Sequence, residues 1–149
     1  MDITFDTSFL VQIDRGNPQA IELIKKLTKE DTHLWISTIT VSEIITGVYL
    51  RKDFEDAKQM ANLVLGQFNW FNFNGVIAER TGEILAFLMS NKKPVCFQDA
   101  AIAATAIEAG AQYIITENKN DFLMIPSIRE KVFNIKDMLE HIKKVDRFK

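Results

Sequence analysis

The chain is poor in the residues that build covalent or metal staples: among 149 residues there is one cysteine, and there are two histidines. Cys96 has no second thiol for an internal disulfide, and without a CxxC or Cys/His cluster a structural zinc site is excluded. His33 and His141 stand in no recognisable catalytic arrangement. No stretch reaches the roughly 18 uninterrupted apolar residues that a membrane helix needs. Charge of one sign is also missing. Eighteen Lys and Arg against 20 Asp and Glu leave a net charge of -2, which excludes a polycation that coats nucleic acid by bulk phosphate neutralisation. With 6 Gly and 3 Pro, no Gly/Ser- or Pro-rich linker divides the sequence, so one domain over 1–149 with one core is expected. Asp2 and Asp6 occupy the region where a signal peptide carries positive charge, so a soluble, cytoplasmic protein is expected.

What the chain does contain is an ordinary globular balance, 47% hydrophobic and 26% charged. Phe accounts for 11 residues against two Trp and two Tyr, and core filling is the expected use of most of them. Cys96, between Val95 and Phe97, reads as a small buried residue. Apolar periodicity alternates between strand-like and helix-like stretches. It predicts strands over 3–5, 33–37, 70–73 and 113–115, with an edge strand over 132–134. Helices are predicted over 18–30, 41–51, 54–68, 76–91, 97–109 and 135–145, and a polar loop over 116–122. Gly110 follows the Ala-rich helix at a C-cap position. Such alternation implies an α/β fold, a three-layer sandwich around a short parallel sheet of four or five strands. Sites in such sheets lie beyond the carboxyl ends of the strands.

Four acids fall near those positions. Asp6 directly follows the first strand, although Asp-Thr-Ser is also a turn or helix-start signature. Glu43 closes Thr40-Val41-Ser42-Glu43, which fits a capping box in which the Glu bonds only the N-cap backbone. Asp99 opens the Ala-rich helix, where an acid is favoured by the helix dipole alone. Asp121 lies in the loop after the fourth strand, where most acids are simply solvated. Individually each has this plainer explanation; the joint pattern is more specific.

The blocks Asp6-Thr7-Ser8-Phe9-Leu10, then 36–44 with Gly47 one turn later, then Asp99 to Ala106, and finally 115–122 resemble a PIN domain. Within that family they are similar to VapC-type ribonuclease toxins of toxin–antitoxin pairs. The resemblance covers nearly the whole chain in order, and the third block with the following T-x-N-x-x-D-F run is its most specific part. It implies an acidic site of Asp6, Glu43, Asp99 and a fourth acid. Some members place that acid two residues after the Thr, here the uncharged Asn118; others place it three residues further on, here Asp121, which is the choice made. Thr7, Thr116 and Asn118 are implied as polar orienting residues.

The implied chemistry also follows from the residue types. Crowded carboxylates raise one another's pKa unless a cation compensates them. All-oxygen ligands select Mg²⁺ or Mn²⁺ over zinc, so Asp6 and Asp99 are candidate direct ligands and Glu43 and Asp121 complete the shell. The expected activity is metal-dependent endoribonucleolytic hydrolysis, with RNA as substrate, a cognate antitoxin as partner and a homodimer through 54–68 or 76–91. The alternatives are a housekeeping PIN nuclease, a non-catalytic PIN-like scaffold and a phosphotransfer domain. A haloacid-dehalogenase-like phosphatase needs a second Asp where Ser8 stands. Arg15, Arg51, Lys52, Lys92, Lys93, Lys119 and the basic tail 143–149 are candidate phosphate contacts. The segment 68–73 offers stacking rings, but a buried strand and helix end is the preferred reading.

Overall fold

The computed structural model describes residues 1–29 and 31–147. Strands β1 (Asp2–Phe5), β2 (His33–Ser37), β3 (Asn69–Phe71), β4 (Tyr113–Ile115) and β5 (Val132–Phe133) form one sheet in the order β3-β2-β1-β4-β5. Every pairing is parallel. Parallel neighbours need crossover connections, and helices supply them. Helices α1 (Thr7–Asp14) and α2 (Pro18–Leu27) link β1 to β2, and α3 (Thr38–Tyr49) and α4 (Phe54–Leu65) lead to β3. Then α5 (Gly75–Ser90) and α6 (Phe97–Glu108) lead to β4, α7 (Lys119–Leu123) precedes β5, and α8 (Ile135–Asp146) follows it. This is the expected α/β sandwich. The chain leaves β1 in one direction and later returns to its other side at β4, so the strand order reverses between these two neighbours. Such a switch point opens a crevice at the strands' carboxyl ends.

The two-residue period of the strands sorts the core into two layers. Ile3, Phe5 and Ile115 pack with Phe9, Leu10, Leu23 and Leu27 of α1 and α2, and with Met138 and Leu139 of α8. Ile114, one step from Ile115, packs instead with Ile77 and Leu88 of α5 and with the alanines of α6. Helix α6 is buried on all sides from Ala100 to Ala106, which its small side chains permit. Thr105 satisfies its hydroxyl on the Ala101 carbonyl at 2.8 Å, so this buried helix keeps no unpaired hydroxyl. A bulkier residue in that run would overpack a dense interior, typically costing about 1–3 kcal/mol.

The differences from the expected elements have local causes. Helix α1 was not expected, because Asp-Thr-Ser reads equally as a turn; the Phe9 amide closes it on the Asp6 carbonyl at 3.0 Å. Helix α2 ends at Leu27, and the expected extension reaches Glu30, which lies outside the described residues. Helix α3 starts at Thr38 rather than 41, since the Ser37 hydroxyl accepts the Ile39 amide at 3.1 Å directly after β2. Helix α4 stops at Leu65, with Gly66 capping it. Gly110 follows the cap Ala109 with φ +64°, the left-handed geometry that glycine adopts freely.

Three expectations are corrected. The loop 116–122 contains the short helix α7. The segment 68–73 is not a buried strand: β3 is the outer strand, and Trp70 is 50% exposed. Cys96 is exposed, because it sits at the N-cap of α6 rather than in its packed body. The phenylalanines also divide. Phe5, Phe9, Phe68 and Phe122 are buried, whereas Phe54, Phe87 and Phe97 are 40–48% exposed.

Candidate functional site

Four segments bring acids to the carboxyl ends of the central strands. Asp6 follows β1 and is only 4% exposed. It is the residue before α1, yet its carboxylate makes no capping bond. Its Oδ2 instead accepts two hydroxyls, Ser8 Oγ and Thr116 Oγ1, each at 2.8 Å. Ser8 also accepts the Glu117 amide, and Thr116 accepts the Asn118 amide, so the end of β4 is tied to the end of β1 through these hydroxyls. No hydrogen bond among the described residues falls on Asp6 Oδ1.

Glu43 lies in the second turn of α3, not at its third position, so the capping box does not form. Its Oε1 accepts the Thr7 hydroxyl at 2.7 Å, and Thr7 stands 3.2 Å from Thr40 Oγ1. Thr40 is fully buried and one turn before Glu43 on the same helical face. Asp99 is in the first turn of α6 and Asp121 in the first turn of α7. The Asn118 side-chain amide spans them, donating to Asp99 Oδ2 at 3.2 Å and to Asp121 Oδ2 at 2.8 Å.

The electrostatics follow from burial without compensation. Burial raises the Glu43 pKa, the Thr7 hydrogen bond opposes that rise, and the charge of Asp6 adds to it. Asp99 is pushed up to about 6, first by burial and then by the charge of Asp6, with Asp121 adding to the same effect. Among the described residues no Lys or Arg forms an ion pair with Asp6, Glu43, Asp99 or Asp121. Nor do any three acidic, His or Cys side chains there stand together as a finished ligand cage. The donor set is all oxygen, lacks basic partners and holds a carboxyl that resists ionisation, which fits a hard divalent cation.

Thus the candidates Asp6, Glu43, Asp99 and Asp121 share one crevice with Thr7, Thr116 and Asn118. Thr7, implied only as a polar orienting residue, is turned toward Glu43. Two further contributors were not singled out. Ser8 anchors Asp6, and the pair of hydroxyls after Asp6 is the signal in the sequence; Thr40 backs Thr7, although its spacing to Glu43 fits a capping box. Of the basic candidates, Arg51 pairs with Asp53 at 2.9 and 3.0 Å, and Lys119 pairs with Asp137. Arg15, Lys52, Lys92 and Lys93 are exposed. Lys143 and Lys144 lie exposed on the last turn of α8, and Phe148 and Lys149 of the expected tail lie outside the described residues. His33 and His141 are remote from the acids, hydrogen-bonded to Asp2 and to Tyr113. Two hollows flank Glu43. One, of about 230 Å³, lies between α1, α3 and α4 over Leu10, Ile44, Val48 and Ala61; the other opens between α3 and the start of α6.

Comparison with known proteins agrees with this fold. No curated protein sequence matches significantly. Among solved structures, the chain is similar to one in the VapBC2 complex of Rickettsia felis bound to a promoter DNA fragment. The TM-score is 0.81 at 23% identity, over 90% of this chain and 98% of that one. A chain of the DNA-bound VapBC complex of Salmonella typhimurium gives 0.80 at 24% identity, over 91% and 98%. One from a toxin–antitoxin complex of Klebsiella pneumoniae gives 0.66 at 28% identity, over 89% and 97%. The sequence itself matches the PIN domain family over residues 3–126, a span running from β1 to just beyond α7 and holding all four acids, and the chain belongs to that family.

Proposed function

We propose that this PIN protein is a metal-dependent endoribonuclease, the toxin of a toxin–antitoxin pair, with the whole of 1–149 acting as one unit. The observation that carries the reading is the uncompensated acid cluster: four carboxylates at the switch point and no basic partner among the described residues. Asp6 and Asp99 would hold Mg²⁺ or Mn²⁺ directly, with Glu43 and Asp121 completing the shell. When bound, such an ion lowers the pKa of its water and neutralises charge developing on the phosphate.

The chain's own groups prepare that chemistry. Ser8 and Thr116 fix one oxygen of Asp6 and leave Oδ1 for a ligand. Thr7 occupies Oε1 of Glu43, so Oε2 is the open acceptor, and the raised pKa of this carboxyl suits it to take a proton from attacking water. Asn118 holds Asp99 and Asp121 together without adding a charge. An uncharged residue at 118 therefore supports the acid set instead of interrupting it, which weakens the scaffold alternative. A cognate antitoxin belongs to this reading, as the structural neighbours come from complexes with one. Exposed Met60 and Leu63 of α4 and Phe87 and Met89 of α5 supply apolar faces for the expected homodimer.

The test is cleavage of single-stranded and stem-loop RNA with Mg²⁺ or Mn²⁺ by wild type, Asp6→Asn and Asp99→Asn. Cleavage by wild type alone is expected. Equal cleavage by all three, or persistence in excess EDTA, refutes the assignment.

A further inference from the structure

We propose that the groove between α3 and the start of α6 is a nucleobase subsite, in which Phe97 stacks the base beside the scissile phosphate and Gln98 and Ser42 meet its edge. This rests on the nuclease reading and extends it to how the strand is seated.

Phe97 is the first residue of α6, two positions before Asp99, and its ring is 48% exposed. Leaving about half of such a residue in water forgoes part of the stabilisation a buried ring gains. The ring is nonetheless braced. Phe73 meets it edge-on, with centroids 5.9 Å apart and planes at 63°. Phe73 is itself pinned, its amide donating to Thr38 Oγ1 at 3.0 Å. An aromatic ring backed edge-on by a second ring is thus presented to solvent beside an acidic residue of the site.

The groove encloses about 420 Å³ and is lined by Ile39, Ser42, Glu43, Thr46, Phe97 and Gln98. Glu43 belongs to both groove and acid cluster, so the two are continuous. A nucleotide with its phosphate at the carboxylates has its base within reach of Phe97. The lining also argues for a base over other occupants. It contains no Lys or Arg, so it does not suit a second phosphate. The side chains of Gln98 and Ser42 make no hydrogen bond among the described residues, whereas Thr46 has spent its hydroxyl on the Ser42 carbonyl at 2.8 Å. An amide with donor and acceptor side by side, next to a flat ring, matches the edge and face of an unstacked base. The substrate this implies is a single strand or loop, whose bases are free to leave their neighbours.

The experiment is an abasic scan of an RNA oligonucleotide that the wild-type protein cleaves, replacing one base at a time around the cut. At one position adjacent to the scissile phosphate, loss of the base should raise KM on the order of tenfold with little change in kcat. Phe97→Ala should show the same rise on the intact strand and no further rise from the abasic unit, and Phe97→Trp should restore wild-type KM. Gln98→Ala should flatten base preference at that position alone. A flat scan with wild type overturns the subsite, as does a Phe97→Ala protein of unchanged melting temperature that keeps wild-type KM. In either case the nuclease reading survives if cleavage still requires Asp6 and Asp99. A flat scan in which Phe97→Ala alters self-association assigns the ring to a protein interface instead. If no RNA is cleaved at all, both proposals fall.

Discussion

The first strand carries an acid at each end, and their surroundings are opposite. At its start, Asp2 Oδ1 accepts the Trp35 indole N–H at 2.9 Å and lies 3.2 Å from the His33 ring nitrogen. The indole hydrogen bond holds its pKa below the usual carboxylate range against the opposing effect of burial, with His33 and the N-terminal ammonium helping. At the other end, Asp6 faces acids. The residue that shows the strain is Asp99, whose pKa burial and the Asp6 charge push up to about 6. Residue type and strand are shared; burial and compensation differ. Asp6 is buried and has no basic partner among the described residues, while the Asp2 side chain is 37% exposed beside Trp35 and His33. A carboxylate surrounded by donors and positive charge serves the fold. A cluster kept without a counter-charge goes against stability, and such local violations concentrate at functional sites.

Activity should break this symmetry most sharply. Asp6→Asn and Asp99→Asn are expected to reduce metal-dependent RNA cleavage by at least about a hundredfold, as loss of a group that stabilises transition-state charge does. Asp2→Asn, the same chemical change at the other end of β1, should stay within about twofold of wild type. Initial rates at saturating Mn²⁺ on one RNA substrate check all three. Comparable losses in all three proteins would show that the acids differ in nothing that matters to catalysis.

The hydroxyls around Asp6 sharpen the contrast at smaller scale. Thr116→Val keeps shape and removes the 2.8 Å donor to Oδ2. An orienting partner of a metal ligand typically contributes 10- to 100-fold, so a loss of about tenfold is expected, appearing as weaker Mn²⁺ affinity. Ser8 still holds the same oxygen, which keeps the effect near the lower bound. Titration of activity with Mn²⁺ separates that from a change in the rate at saturation.

The sequence made the architecture legible because short apolar strands alternate with long helical stripes, and each acid followed such a segment or lay near a helix start; the short helices α1 and α7 show no such stripe. It hid what depends on partners distant in the chain. Thr40 and Glu43 have the spacing of a capping box, and only the fold shows that Ser37 caps α3 while Glu43 turns to Thr7. Nothing local reveals that Ser8 meets a residue 108 positions away. Phe97 looks like any apolar helix residue, since a 3.6-residue period does not distinguish a first-turn ring standing in solvent from one inside. Cys96 was misplaced for the same reason: a small residue between Val and Phe has a buried-looking neighbourhood, but an N-cap lies at the helix rim.

Stability should move in the opposite direction to activity at Asp99. Its folded pKa is raised, so protonation favours the native state: the contribution is full below the unfolded value of 3.8 and is lost as pH rises through about 6. At pH 7.5 the ionised side chain is therefore a burden in the metal-free protein. Asp99→Asn should raise stability there by roughly 1–2 kcal/mol after solvent screening, or about 3–6 °C in Tm. At pH 4 the two proteins should melt together. Adding Mn²⁺ should raise the wild-type Tm and leave that of Asp99→Asn nearly unmoved. Thermal melts in EDTA and in Mn²⁺ at both pH values test this, and an Asp99→Asn protein less stable than wild type at pH 7.5 in EDTA would contradict it.

The smallest effect, of opposite sign, belongs to Asp2. Its folded pKa is lowered, so its contribution is present above the unfolded value of 3.8 and disappears as pH falls through the folded one. The side chain is 37% exposed, and screening limits the contribution to less than about 1 kcal/mol. Asp2→Asn should therefore lower Tm slightly at pH 7.5, and by less at pH 3, where the wild-type carboxyl is also becoming neutral. It should respond to Mn²⁺ as wild type does, because the hydrogen bonds it loses lie at the other end of β1. Melts of the Asp2 and Asp99 variants measured side by side should diverge above pH 6 and converge in acid. A destabilised Asp2→Asn that also failed to gain stability from Mn²⁺ would mean that the two ends of the strand are coupled, and that charge compensation at one end does not act independently of the acid cluster at the other.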